Sequence, residues 1–252
     1  MFELPIYNIC VFSMFILAAV TFLALTKVTA PYGRHERSGW GPRIPNKFGW
    51  VLMELPAILA FFIFYFQGKN SFEAVPLIFF FLWQLHYFYR TFVFPFLTRT
   101  EGKKMPLLIA LIGALINTFN AFINARWISH YGSYSIEWVH STPFAWGVGL
   151  FLIGLLINGH SDSILIKLRT HGPKEYKIPY GGCYRFISCP NYLGEILEWT
   201  GWALATYSLG GLAFALYTLA SLLPRAIDNH KWYKARFPDY PDRRKAIFPF
   251  LF

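Results

Sequence analysis

Glu54 lies among Leu52, Leu55 and Ile58, Tyr87 and Arg90 interrupt an aromatic run three residues apart, and Asn191, Glu195 and Glu198 follow one another at helical spacing. Asn158, Asp162 and Arg169 stand at i, i+4 and i+11, which puts them on one stripe of a helix. Tyr176, Arg225, Tyr233 and Arg244 add phenols and guanidinium groups from basic segments. An ionisable group inside an apolar helix costs roughly 2.5–3.5 kcal/mol on insertion scales, so such residues usually serve a site unless they reach the headgroups. Each has a plainer reading alone. Glu54 could cap a helix, Tyr87 and Arg90 could anchor at the interface, Asp162 and Arg169 could pair, and the basic tail could meet anionic lipid. As a set, oxygen donors in an apolar setting beside cations suit an anionic, hydrogen-bonding ligand.

Other chemistries fit the residues poorly. No GxGxxG, P-loop or GxSxG motif occurs, and the seven histidines lack the close pairing of a membrane di-iron or zinc site, so no metal is expected. Cys10, Cys183 and Cys189 are odd in number and lack ligand spacing, which argues against a disulfide frame or a zinc knuckle. The net charge of +10 belongs to membrane topology rather than to nucleic acid, because loops beside a bilayer carry Lys and Arg.

The elements that must position these residues are membrane helices. At 55% hydrophobic and 14% charged, the 252 residues are too apolar for a soluble domain of this size. Apolar runs near 6–28, 50–66, 74–97, 107–125, 144–161, 194–209 and 211–224 reach or approach the roughly 20 residues needed to cross a bilayer, the last two parted at Gly210 and Gly211. The first is expected to persist as an anchor, since no basic segment precedes it. Lys27, Arg34, Arg37, Arg43 and Lys47 occupy the first loop, Arg99, Lys103 and Lys104 the third, and Lys167, Arg169, Lys174, Lys177 and Arg185 the fifth. The tail is basic too, whereas the even loops hold only Lys69 and Arg126. The expectation is an all-α membrane protein of seven spans and one domain, 1–252, with the amino terminus outside and the carboxy terminus cytoplasmic.

The segments WVLMELP, HYFYRTF, IN followed by HSD and LR, NYLGEILEW and YPDRRKAIFPFLF together resemble the membrane steroid 5α-reductase family over nearly the whole chain. The resemblance implies NADPH-dependent reduction of the carbon 4–5 double bond of 3-oxo steroids. By the same resemblance, Glu54 and Tyr87 match the pair that hydrogen-bonds the steroid ketone, and Asn158, Asp162, Arg169, Tyr176, Asn191, Glu195, Arg225, Tyr233 and Arg244 match the NADPH pocket. The apolar spans would admit a lipophilic substrate from the membrane lipids, with residues 144–252 supplying most of the cofactor pocket and no obligate protein partner. Met53 stands where relatives often carry glutamine, and Asn229 where histidine is expected. The segment SCPNY is more like related enoyl-thioester reductases. Rival readings are a reductase of an enoyl thioester or polyprenol, an isoprenylcysteine-type methyltransferase, and a receptor or transporter, although paired inverted halves are absent from the sequence.

Overall fold

The computed structural model describes residues 3–98, 100, 102–168 and 176–250. Its helices are α1 (Glu3–Lys27), α2 (Asn46–Phe66), α3 (Ala74–Phe88), α4 (Phe94–Leu97), α5 (Leu107–Arg126), α6 (Thr142–Leu168), α7 (Pro190–Thr206) and α8 (Leu209–Arg236). A π-helical turn at Tyr89–Val93 joins α3 to α4 without a break, so the chain is helical from 74 to 97. A second π-helical turn, Trp127–Tyr131, extends α5. Among the described residues five helices are long and apolar enough to cross a membrane: α1, α2, α5 with its extension, α6 and α8. The protein is thus an all-α membrane protein.

The lipid-facing surface explains why water would be the wrong solvent. On α1 only Tyr7, Val11, Met14 and Ala18 are buried, a stripe at helical spacing that packs on α8. Ile6, Ile9, Phe12, Ile16 and Leu23 on the same helix are exposed. An apolar surface of that extent is stable only against lipid or another apolar partner.

Helices α6 and α7 touch through their backbones. Gly147 and Gly154 on α6 face Gly194 and Gly201 on α7, each pair seven residues apart. A Cβ at Gly154 would lie 2.5 Å from the Glu198 nitrogen, and one at Gly194 2.6 Å from the Asn158 nitrogen. Without a hydrophobic drive between helices in lipid, such small residues gain van der Waals contact by letting backbones approach. The close approach brings Asn158 and Asp162 opposite Asn191 and Glu195.

The boundary between the last two helices differs from the expectation. It falls at Tyr207 and Ser208, not at Gly210 and Gly211, which lie in the first turn of α8. Tyr207 adopts a left-handed conformation (φ 45°) that ends α7, and the Ser208 hydroxyl caps α8 by accepting from the Gly211 nitrogen at 2.9 Å. Both glycines are packed: Gly210 against the Ile123 carbonyl and Tyr7, Gly211 against Thr206 and Ser208.

Loops of one parity gather at each end of the bundle. At one end β1 (Arg43–Pro45) pairs antiparallel with β2 (Lys104–Pro106), Ile187 bridges to Lys245, and Lys103 donates to the Tyr176 hydroxyl. The first, third and fifth loops and the tail therefore meet. At the other end the Asn70 nitrogen bonds the Ser129 carbonyl, and Tyr134 hydroxyl bonds the Thr206 carbonyl. Glu3 pairs there with Arg126 at 2.6 Å.

Candidate active site

A cavity of about 330 Å³ lies toward the basic end, walled by α2, α3, α5, α6, α7 and α8 and by the first loop. At its centre Arg90, buried by the π-helical turn, meets three carboxylates from three other helices. Its guanidinium is 3.8 Å from Glu54, 3.8 Å from Asp162 and 3.5 Å from Glu195. Each carboxylate also receives one asparagine amide: Asn117 donates to Glu54 at 3.2 Å, Asn191 to Asp162 at 3.4 Å and Asn158 to Glu195 at 3.2 Å. Buried charge needs this double provision, a counter-ion and hydrogen bonds for the remaining lone pairs. The surroundings of Glu54 are accordingly more polar than its sequence neighbours suggest.

Tyr87, one helical turn before Arg90, is 2% exposed and lies against Trp83 and Trp199. Its hydroxyl oxygen accepts from Asn120 Nδ2 at 3.4 Å. Beside it His86 Nδ1 and Glu198 Oε1 form a 2.7 Å pair, both side chains buried. The two carboxylates of α7 thus have separate partners, Glu195 with Arg90 and Asn158, Glu198 with His86.

The other end of the cavity is cationic and aromatic. Arg225 stacks 3.6 Å over the Tyr32 ring and donates from Nε to the Tyr192 hydroxyl at 2.9 Å. Arg34 lies 4.5 Å over the Tyr233 ring and 5.0 Å over Trp232. His35 bonds Asn229 Oδ1 at 3.0 Å through Nε2. The Asn229 amide nitrogen faces Cys189 Sγ at 3.6 Å and the Tyr192 hydroxyl at 3.4 Å. Burial lowers the His35 pKa, against the opposing effect of the Asn229 hydrogen bond, and Arg225 and Arg34 lower it further. Burial likewise pushes the Cys189 thiol up to about 11, so it is protonated at neutral pH. At the floor, Ser188 Oγ meets His230 Nδ1 and the Tyr240 hydroxyl, each at 2.6 Å, and ties the tail to α8.

Of the eleven residues matched to the ketone and NADPH sites in the sequence, eight line this one cavity: Glu54, Tyr87, Asp162, Tyr176, Asn191, Glu195, Arg225 and Tyr233. Asn158 stands behind it, bonded to Glu195 and to the Asn191 carbonyl at 3.0 Å. Arg244 is buried outside the lining, over the rings of Tyr180 and Tyr240. Arg169 lies outside the described residues. Sequence reasoning missed Arg90 as the shared counter-ion, His86, the first-loop residues Tyr32, Arg34 and His35, and the asparagines 117, 120 and 124. The asparagines carried a signal, three amides at i, i+3 and i+7 on an otherwise apolar helix. The loop residues carried none, since their positions depend on contacts nearly 200 residues away.

The chain is similar in sequence to known proteins. A model of the 3-oxo-5-alpha-steroid 4-dehydrogenase family matches residues 103–252. The chain belongs to this family. It is 41% identical to the steroid 5-alpha-reductase DET2 of Solanum lycopersicum, over 98% of this chain and 97% of that protein. Identity to the 3-oxo-5-alpha-steroid 4-dehydrogenase 1 of Bos taurus is 41% over 93% of each chain, and to that of Homo sapiens 41% over 88% of this chain and 86% of the relative. The family is one of oxidoreductases, and Tyr87, Arg90 and the three carboxylates form the polar centre of this member's cavity.

Proposed function

We propose that the chain reduces the carbon 4–5 double bond of 3-oxo-4-ene steroids to the 5α-dihydro product, with NADPH as reductant. The observation that carries this reading is one cavity lined by Tyr87 and Glu54 and also by Arg34 and Arg225, whose guanidinium groups keep buried nitrogens without a hydrogen-bond partner among the described residues. Arg34 Nη1, Arg225 Nη1 and the Nε and Nη1 of Arg244 are buried and hydrogen-bonded to nothing among the described residues. Buried charged N–H groups without acceptors are costly, and the oxygens of phosphates would satisfy them. Residues of this chain therefore fit NADPH: Arg34 and Arg225 for phosphates, with Arg244 just outside the lining, Tyr176 and Tyr233 beside them, and Asn191, Asp162 and Glu195, braced by Asn158, for amide and hydroxyl groups. Arg169 joins this set by the family resemblance. The names of the relatives, steroid 5-alpha-reductases, favour a steroid over an enoyl thioester or polyprenol.

When bound, NADPH supplies a hydride for carbon 5. As the double bond is lost, electron density moves onto the ketone oxygen, and a donor already aimed at that oxygen lowers the barrier. Tyr87 is that donor, and Glu54 in its protonated form donates the second hydrogen bond to the ketone. Arg90 holds Glu54, Asp162 and Glu195 in place by sharing its charge among them. Trp50, Met53, Ile116 and Phe214 give the walls on which an apolar substrate lies, excluding water from the developing charge. A proton at carbon 4 completes the reduction.

The same reading covers topology and domain organisation. The helical stretches 74–97 and 190–206 join α1, α2, α5, α6 and α8 to make seven spans, and the basic end faces the cytoplasm, where the cofactor pool lies. The chain acts as one domain, its first spans forming the substrate cavity and residues 144–252 most of the cofactor pocket.

The test is NADPH oxidation by purified, reconstituted protein against a panel of a 3-oxo-4-ene steroid, an enoyl thioester and a polyprenol. Steroid reduction is expected, with Tyr87→Phe and Glu54→Gln lowering kcat by about 10²-fold and leaving NADPH affinity within about twofold. Wild-type rates in both variants remove the proposed roles, and binding of S-adenosylmethionine in place of NADPH overturns the activity.

A further inference from the structure

The hydroxyl of Tyr87 can aim its proton at a substrate only if its oxygen, not its hydrogen, is engaged by the protein. We infer that Trp202, Asn124 and Asn120 form a one-way hydrogen-bond relay that enforces this direction, making all three positioning residues for Tyr87. The inference rests on the donor role proposed for Tyr87 and goes beyond it by naming what imposes that role.

The relay begins at a group with no choice. An indole Nε1 can only donate. Trp202 Nε1 lies 2.8 Å from a terminal atom of Asn124, which must then be the amide oxygen. The Asn124 amide NH2 consequently faces Asn120, 2.8 Å from Oδ1 and 3.1 Å from its backbone carbonyl oxygen, and both of those are acceptors. With its oxygen occupied, Asn120 presents its amide NH2 to the Tyr87 hydroxyl oxygen at 3.4 Å. An amide NH2 cannot accept, so the phenolic proton points away from α5 and toward the cavity that Tyr87 lines.

Reversing any member would face donor against donor or acceptor against acceptor where water cannot compensate. Trp202, Asn124 and Asn120 are all 0% exposed. In such surroundings a mispaired group keeps its full desolvation penalty, so the polarity set at Trp202 is transmitted through the chain. Packing alone does not require two adjacent buried asparagines in a wall otherwise made of Trp83, Trp199, Trp202 and Phe79. Their value is direction.

Asn120→Asp tests the relay because it keeps shape while replacing the donor by an acceptor. With progesterone as the 3-oxo-4-ene steroid, kcat is expected to fall about tenfold or more at neutral pH with KM for NADPH unchanged. Activity of this variant should rise as pH is lowered, because a protonated carboxyl again offers a donor to Tyr87, whereas wild type should lack that acid limb. Combined with Tyr87→Phe, Asn120→Asp should add no further loss, since the hydroxyl it misdirects is gone. Should Asn120→Asp fail to fold, Trp202→Phe keeps the aromatic packing and removes the fixed donor. It is expected to lower kcat about threefold in a Tyr87 background and not at all beside Tyr87→Phe. Wild-type kcat with an unaltered pH profile in Asn120→Asp, or losses that multiply with Tyr87→Phe, overturn the relay and leave steroid reduction standing. A wild-type protein that does not reduce progesterone overturns both.

Discussion

Arg90 shows most directly how one residue holds this cavity together. A single guanidinium faces Glu54, Asp162 and Glu195, which come from α2, α6 and α7. Removing it takes from three carboxylates the counter-ion they share. Breaking a buried ion pair by deleting one partner costs about 3–5 kcal/mol, against near zero for an exposed pair. Arg90→Met, which keeps the length of the side chain, should therefore lower the thermal midpoint of the detergent-solubilised protein by several degrees or prevent its purification. Arg43→Met, at a partly exposed pair with Glu36 on the first loop, should leave it nearly unchanged. Equal effects of the two would mean that the three carboxylates do not depend on Arg90. Glu54 and Tyr87 were identifiable from the sequence because each is a polar group in an apolar run. Arg90 was visible too, but its explanation was not: a snorkelling arginine and a buried counter-ion look alike until the opposing helices are placed.

At the scale of elements, the contact between α6 and α7 is the decisive joint. It sets Asn158 and Asp162 against Asn191 and Glu195, and it exists because Gly147, Gly154, Gly194 and Gly201 leave room for backbone against backbone. Gly154→Ala pushes a methyl group to 2.5 Å from the Glu198 nitrogen and the Gly194 oxygen, atoms that cannot swing aside. Overpacking of this kind costs about 1–3 kcal/mol, and here it also separates the two polar stripes. Gly154→Ala is expected to weaken NADPH affinity and lower the thermal midpoint, while Gly149→Ala, with open space around its Cβ, should do neither. The measurement is NADPH titration and thermal unfolding of both variants side by side. An unaltered Gly154→Ala would show that the helices can part without disturbing the pocket. The seven-residue spacing of these glycines was present in the sequence, yet the pairing of α6 with α7 was not, because glycines at that spacing also occur on faces that meet lipid.

For the whole molecule, the segregation of loops leads to a prediction about topology. The first, third and fifth loops and the tail share the basic end, and the opposite end has Glu3 with Arg126. A protease-cleavable tag at the carboxy terminus should be cut from the cytoplasmic side, whereas one inserted after Gly132, between α5 and α6, should be protected until the membrane is permeabilised. The opposite pattern would reverse the proposed orientation. The sequence alone determined the helical, membrane-embedded class, the approximate bounds of the helices, the gathering of basic loops and the polar residues worth attention, because lipid forbids most alternatives and hydropathy is a local property. Only the tertiary structure decided which polar groups meet. The sharing of Arg90 among three helices, the stacking of Arg225 on Tyr32, and the direction of the Tyr87 hydroxyl are set by contacts between residues far apart in the chain. Such contacts depend on the packing of backbones and the pairing of donors with acceptors, neither of which has a period that can be read along a single strand of residues.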